Sequence, residues 1–98
     1  MNKINSYIGF AKKSRTIVFG EDNCKDNKKI KLVVYTSGIS QNFIKKIQKS
    51  NAKTICVDSE QYNHFDVTSK VFAITDENLA KAIETELTNI GGNNFDNK

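Results

Sequence analysis

Residues Phe10 to Cys24 read FAKKSRTIVFGEDNC, and the fold turns on how this stretch is divided. An apolar, helix-type segment runs into Lys12, Lys13 and Arg15. Four strand-type residues follow, Thr16-Ile17-Val18-Phe19, and then Gly20 with the acidic pair Glu21 and Asp22. Upstream, Ile4, Tyr7, Ile8 and Ala11 recur at the three-and-four spacing of a helix with one buried face, over residues 4–13. Ser14 to Thr16 interrupt that period, and the β-rich run to Phe19 predicts a short strand. Gly20 ends it, because glycine takes positive φ without a Cβ penalty. Glu21 and Asp22 then stand where a helix N-terminus favours negative charge.

Downstream, the second helix must be brief, because Ile30 to Thr36 (IKLVVYT) is another strand. Its near-continuous apolar run suits an interior strand covered on both faces. Ser37 and Gly38 make a turn, and Ser40 is placed as the N-cap of a helix to about Ser50. In it Phe43, Ile44 and Ile47 face inward while Lys45, Lys46 and Lys49 face water. Lys53 to Val57 is a third strand, with Cys56 read as buried core. Asp58 to Asp66 reads as a short helical turn or as loop. Lys70 to Ile74 is a fourth strand, and Thr75 and Asp76 cap a last helix carrying the stripe Leu79, Ile83, Leu87 and Ile90. Gly91-Gly92 stops that helix.

This alternation predicts an α/β fold, a three-layer α-β-α sandwich on a mixed four-stranded sheet. One domain spans residues 1–90, followed by a flexible tail over 91–98. The short second helix is expected to force one antiparallel neighbour. Loops at strand ends gather at one edge of such a sheet, and function is usually placed there.

The chain of 98 residues suits one domain. No apolar run approaches the roughly 20 residues of a membrane helix, and MNKINSYIGFAKK lacks the apolar core of a secretory signal, so a cytoplasmic protein without a membrane partner is expected. Cys24 and Cys56 fit that compartment as free thiols. The net charge of +4 is unevenly spread: residues 1–53 carry twelve Lys and Arg against three acids, residues 54–98 three against eight. Such asymmetry marks a nucleic-acid-facing side, though scattered lysines also suit plain solvated surface.

Chemistry-bearing motifs are sparse. Neither GxGxxG nor GxxxxGK[ST] occurs, and no metal site, cofactor or small-molecule substrate is expected. His64, the single histidine, lies two residues before Asp66, but no nucleophile or second ligand is spaced to join them, so no enzyme is expected. Cys24 follows acids, which raise a thiol pKa, and reads as unreactive. The opening stretch is what remains. Gly20 at a helix start offers backbone N–H groups to phosphate or a base edge. Asp22 and Asn23 are of the type that pairs with base amino groups, and Lys12, Lys13, Arg15, Lys25 and Lys28 would flank them on phosphates. The same residues also make an ordinary strand-to-helix turn.

The frame SYIGFAKKSRTIVFGED, then IKLVVYTS, then SKVFAITDENLAKAI resembles the kink-turn RNA-binding ribosomal protein superfamily, the L-seven-Ae and L-thirty-e group. The bacterial, YlxQ-type members are most similar, over about Ser6 to Ile83. The resemblance implies an L-thirty-e-like α-β-α sandwich and a non-enzymatic, ribosome- or translation-associated protein. Its partners would be a kinked or bulged RNA and ribosomal or translation proteins. It places the RNA on the glycine-led start of helix two (Gly20, Glu21, Asp22, Asn23) and on the strand-end loop Thr36-Ser37. The sequence departs from the family pattern at Asn23, where a Glu reads a guanine, at Asp26, where a Lys meets the backbone, and in QYNHFDVTSK, which lacks the usual glycines. A degenerate relative acting as a protein-interaction module is the alternative those departures raise.

Overall fold

The computed structural model describes residues 3–25, 29–49 and 52–91. Within them helix and strand alternate: α1 (Lys3–Ser14), β1 (Ile17–Phe19), α2 (Glu21–Lys25), β2 (Leu32–Tyr35), α3 (Gln41–Gln48), β3 (Lys53–Cys56), α4 (Ser59–Tyr62), β4 (Val71–Ile74) and α5 (Glu77–Gly91). The four strands form one mixed sheet in the order β1-β4-β2-β3. In that sheet β4 is antiparallel to both its neighbours, Phe72 facing Phe19 on one side and Val34 on the other, while β2 and β3 are parallel. Strands β1, β2 and β3 therefore all end at the edge where β4 begins.

The antiparallel partner comes from β4 and not from the brevity of α2. Gly20 to Lys31 supplies twelve residues, enough to carry the chain over to a parallel strand. Residues 57–70 are long enough to do the same, but α4 and the loop after it stay at the edge where β3 stops, so β4 starts there and fills the slot between β1 and β2.

Alternation along the inner strands divides the core into two layers. Leu32, Val34, Phe72 and Ile74 pack beneath α1 and α5 with Ile4, Ile8, Ile83 and Leu87. Val33, Val71 and Ala73 pack on the opposite side with Cys24 of α2 and with Phe43 and Ile47 of α3. The protein is thus an α-β-α sandwich, and both interior strands are buried on both faces, as their unbroken apolar runs require. Cys56 departs from the buried-core expectation: it is exposed, as the last residue of β3, an edge strand.

The helix ends obey local chemistry. Arg15, at φ 60°, is the left-handed residue that closes α1, and the N–H groups of Arg15 and Thr16 donate to the carbonyls of Lys12 and Ala11. Ser40 Oγ accepts from Phe43 N at the start of α3, and Asp76 Oδ1 accepts from Asn78 and Leu79 N at the start of α5. Asp58 caps α4 in the same way, which settles Asp58–Asp66 as one helical turn followed by a loop. Helix α5 continues through Gly91, the first residue of the tail expected over 91–98, and residues 92–98 lie outside the described residues.

Candidate functional site

The sheet register gathers one set of loops. Gly20 N donates to Val71 O at 3.2 Å, and Thr36 N donates to Lys70 O at 3.1 Å, so the ends of β1 and β2 flank the start of β4. Val57 N donates to Tyr35 O at 2.8 Å, which brings the end of β3 alongside. Gly20, Thr36-Ser37-Gly38, Asp58-Ser59 and Ser69-Lys70 consequently share one edge.

Between the last three of these loops lies an open cleft of about 310 Å³, with Ser37, Ser59, Asn63, Thr68, Ser69 and Lys70 among its lining groups and Tyr62 and Val67 as its apolar contribution. Tyr62 is fixed by its hydroxyl, which donates to Ser69 O at 2.8 Å, and burial holds its phenol well above the ordinary range. Ser69 Oγ donates to Val71 O, so Lys70 is presented from a braced turn. Its stem runs past Gly38, where an added Cβ would sit 2.8 Å from Nζ.

Thr36 also lines this cleft, and its buried Oγ1 has no hydrogen-bond partner among the described residues. An unpaired buried hydroxyl costs about 1–3 kcal/mol. Thr36→Val keeps the branched shape and removes that cost. It is expected to raise stability by about 1 kcal/mol, read as a higher urea midpoint at unchanged m-value.

Helix α2 is braced as a turn. Glu21 accepts from Ser40 Oγ at 3.1 Å and from Ser40 N at 3.4 Å, tying the start of α2 to the start of α3. Asn23 Nδ2 donates to Phe19 O at 2.8 Å, closing the turn on which Gly20 sits at φ 89°. Asp22 is exposed at this edge. The side chain of Lys25 and all of Asp26 and Lys28 lie outside the described side chains and residues. The unreactive reading of Cys24 rests on a different cause from neighbouring acids: burial pushes its thiol up to about 11.

Lys12, Lys13 and Arg15 stand elsewhere. They end α1 beside the start of β1, and Thr16 O, next to Arg15, accepts from Thr75 N at the end of β4. Gly20 is at the other end of β1, roughly 15 Å away at strand rise. Lys12 is moreover engaged by Asp66, its Nζ donating to Asp66 O at 2.8 Å and lying 3.5 Å from Oδ2. Asn5 secures the same loop, donating to His64 O and accepting from Asp66 N. His64 is exposed and Asp66 is held by α1, so the two do not form an acid–base pair. Of the sequence-derived site, Gly20, Glu21, Asp22, Asn23, Thr36 and Ser37 share one edge, and the α1 cations lie at the opposite one.

Ser59 is not among the sequence-derived candidates, and Asn63, Thr68 and Lys70 enter there only within QYNHFDVTSK, as a departure from the family pattern. The signal was present in the position of Lys70 immediately before a strand, but its value depends on that strand being antiparallel. Among the described residues no group of three or more His, Cys, Asp or Glu is placed to hold a metal ion, and no helix is long and apolar enough to cross a membrane.

Fold and edge together define an α/β sandwich with a mixed four-stranded sheet and a polar cleft at its strand ends. A solved structure of a protein with unknown function from Bacillus halodurans C has the same architecture, with a TM-score of 0.68 at 18% identity over 89% of this chain and 98% of that one. No family model and no curated protein matches the sequence.

Proposed function

We propose that this is a non-enzymatic, cytoplasmic RNA-binding protein, ribosome- or translation-associated, that takes a kinked or bulged RNA at the Gly20 edge. The cleft beside Thr36 and Lys70 carries the reading. Its volume of about 310 Å³ is at the small end of ligand pockets, suited to one unstacked base. Its hydroxyl and amide lining offers donors and acceptors to base edges, and Tyr62 and Val67 offer apolar contact. Bases displaced from a helix at a bend are what side chains can read in RNA, whereas the regular A-form major groove is too narrow. Lys70 is placed to meet an adjoining phosphate.

Fluorescence anisotropy with a bulged hairpin and with an uninterrupted duplex of equal length tests this across a salt series. The bulged RNA is expected to bind at least fivefold more tightly. Lys70→Glu is expected to remove most of that preference and to lower the salt slope by about 0.7–0.9 for one lost phosphate contact. Equal affinity for both RNAs, or a preference untouched by Lys70→Glu, would sink the reading.

One observation favours a second reading, a protein-interaction module. Glu21 and Asn23 spend their side chains on Ser40 and Phe19, and the α1 cations are remote from Gly20. A pull-down with and without RNase separates the two, since partners retained after RNase treatment support the module.

A further inference from the structure

Cations that do not reach the Gly20 edge gather at the other end of the sheet. Lys31 N donates to Ile74 O, Lys53 N donates to Lys31 O, and Thr75 N donates to Thr16 O, so Arg15, Lys31 and Lys53 lie close to one row across the four strands. Two strand steps, about 10 Å, separate the backbones beside Arg15 and Lys31. Lys13 ends α1 at this end, Lys29 leads into β2, and Lys49 caps the C-terminus of α3. All six cations are exposed.

The acids at the same end are largely committed. Asp76 accepts from two backbone N–H groups of α5, Glu77 lies 3.7 Å from Lys81, and Glu84 lies 2.8 Å from Lys53. Lys13, Arg15, Lys31 and Lys49 form no ion pair among the described residues. These four keep the field here positive, in contrast to the Gly20 edge with its exposed Asp22, Asp58 and Glu60.

An aromatic ring completes this end. Phe10, 61% exposed, is the one large hydrophobic side chain left in solvent among the described residues. It lies one turn before Lys13 on the same helix surface. An exposed ring framed by cations is the arrangement that binds unpaired nucleic acid, the ring stacking on a base while cations hold the flanking phosphates. A duplex offers no open base face to such a ring, and an acidic peptide offers charge without a planar face for it.

We infer that this end of the molecule is a second nucleic-acid face, taking an unpaired RNA strand with a base stacked on Phe10 and its flanking phosphates on Lys13, Arg15 and Lys31. The face is separate from the cleft at Lys70, and neither requires the other.

The chain contains no tryptophan, so Phe10→Trp introduces a single indole reporter. A 12-nucleotide oligouridylate at low salt is expected to quench that indole saturably. Phe10→Ala, which removes an exposed ring and leaves the circular dichroism spectrum unchanged, is expected to weaken anisotropy-detected binding about tenfold. Lys13→Glu with Arg15→Glu is expected to abolish binding at moderate salt, while Lys70→Glu leaves the quenching in place. Four results overturn the inference: no oligouridylate binding at low salt, binding without indole quenching, equal loss of quenching in Lys70→Glu, or polyglutamate binding that matches oligouridylate and ignores Phe10→Ala. The bulged-hairpin preference assigned to the cleft is read in Lys70→Glu alone, so failure at one face is distinguishable from failure at the other.

Discussion

Phe72→Ala is expected to destabilise the protein by about 3–5 kcal/mol, the range for removing a buried aromatic ring. Phe72 is fully buried near the middle of β4, a strand covered on both faces and hydrogen-bonded on both sides. Its ring centroid is 6.2 Å from that of Tyr62 and 6.5 Å from that of Phe65, and the latter two are 5.4 Å apart. These tilted and edge-on arrangements add to the burial of apolar area. The cavity cannot collapse easily, because sheet hydrogen bonds hold β4 from both edges. A domain of this size is typically stable by about 5–15 kcal/mol, so the substitution removes about a fifth of the total or more. At roughly 4–8 °C per kcal/mol, the melting temperature falls by about 12–40 °C. Phe72→Leu should cost far less, about 1–1.5 kcal/mol, since it preserves most of the volume. Urea titration of both variants decides it, and a Phe72→Ala cost below about 1.5 kcal/mol would contradict the packing of the aromatic trio.

The trio also ties stability to the candidate site. Tyr62 is at once a member of this core and a wall of the cleft, and its hydroxyl fixes the Ser69 carbonyl beside Lys70. Loosening Phe72 therefore loosens the turn that presents Lys70. Ligand binding by a destabilised Phe72 variant is best compared at a temperature well below its midpoint.

The architecture was legible from sequence wherever a local rule decides it. The three-and-four spacing of α1, the capping serine of α3, the capping aspartate of α5 and the apolar runs of β2 and β4 each specify their element from a few neighbouring residues. Sheet order was not legible, because it depends on where β4 inserts, and nothing in residues 71–74 distinguishes a slot between β1 and β2 from an edge. Cys56 was misjudged for the same reason: an apolar-looking strand residue is buried only if its strand has cover, and edge position is a property of the whole sheet. The site was legible in half. Gly20, Thr36 and Ser37 share the edge because strand direction alone sends them there. Lys12, Lys13 and Arg15 are close to Gly20 in sequence, but a strand lies between them, and a strand converts nearness in sequence into distance. Counting them with Gly20 ignored that a five-residue step along β1 crosses most of the sheet.

Gly38→Val is expected to affect both stability and RNA affinity, through separable causes. Gly38 has φ 96°, and Gly20 has φ 89°, regions that a β-branched residue enters only under strain. Such strain costs about 1–3 kcal/mol, and Val belongs at the upper end of that range at either position. No heavy atom would lie within 4 Å of a Cβ at Gly20, whereas at Gly38 it would meet Lys70 Nζ at 2.8 Å and its stem carbons at 3.4 and 3.6 Å. A lysine stem is flexible and swings aside at little cost, so the two valine variants should be destabilised to within about 1 kcal/mol of each other, the backbone term dominating both. The displaced ammonium is the functional consequence: Gly38→Val moves the one described cation on the rim of the cleft. Its effect on bulged-hairpin affinity should then vanish when Lys70 has already been replaced by alanine. A double-mutant cycle of Gly38→Val with Lys70→Ala, measured by anisotropy well below the midpoints of all variants, reads this coupling directly. Full additivity would mean that Gly38 influences the RNA by some route other than Lys70. Coupling equal to the whole Gly38→Val effect would place the turn at Ser37-Gly38 in the role of holding the cation over the cleft.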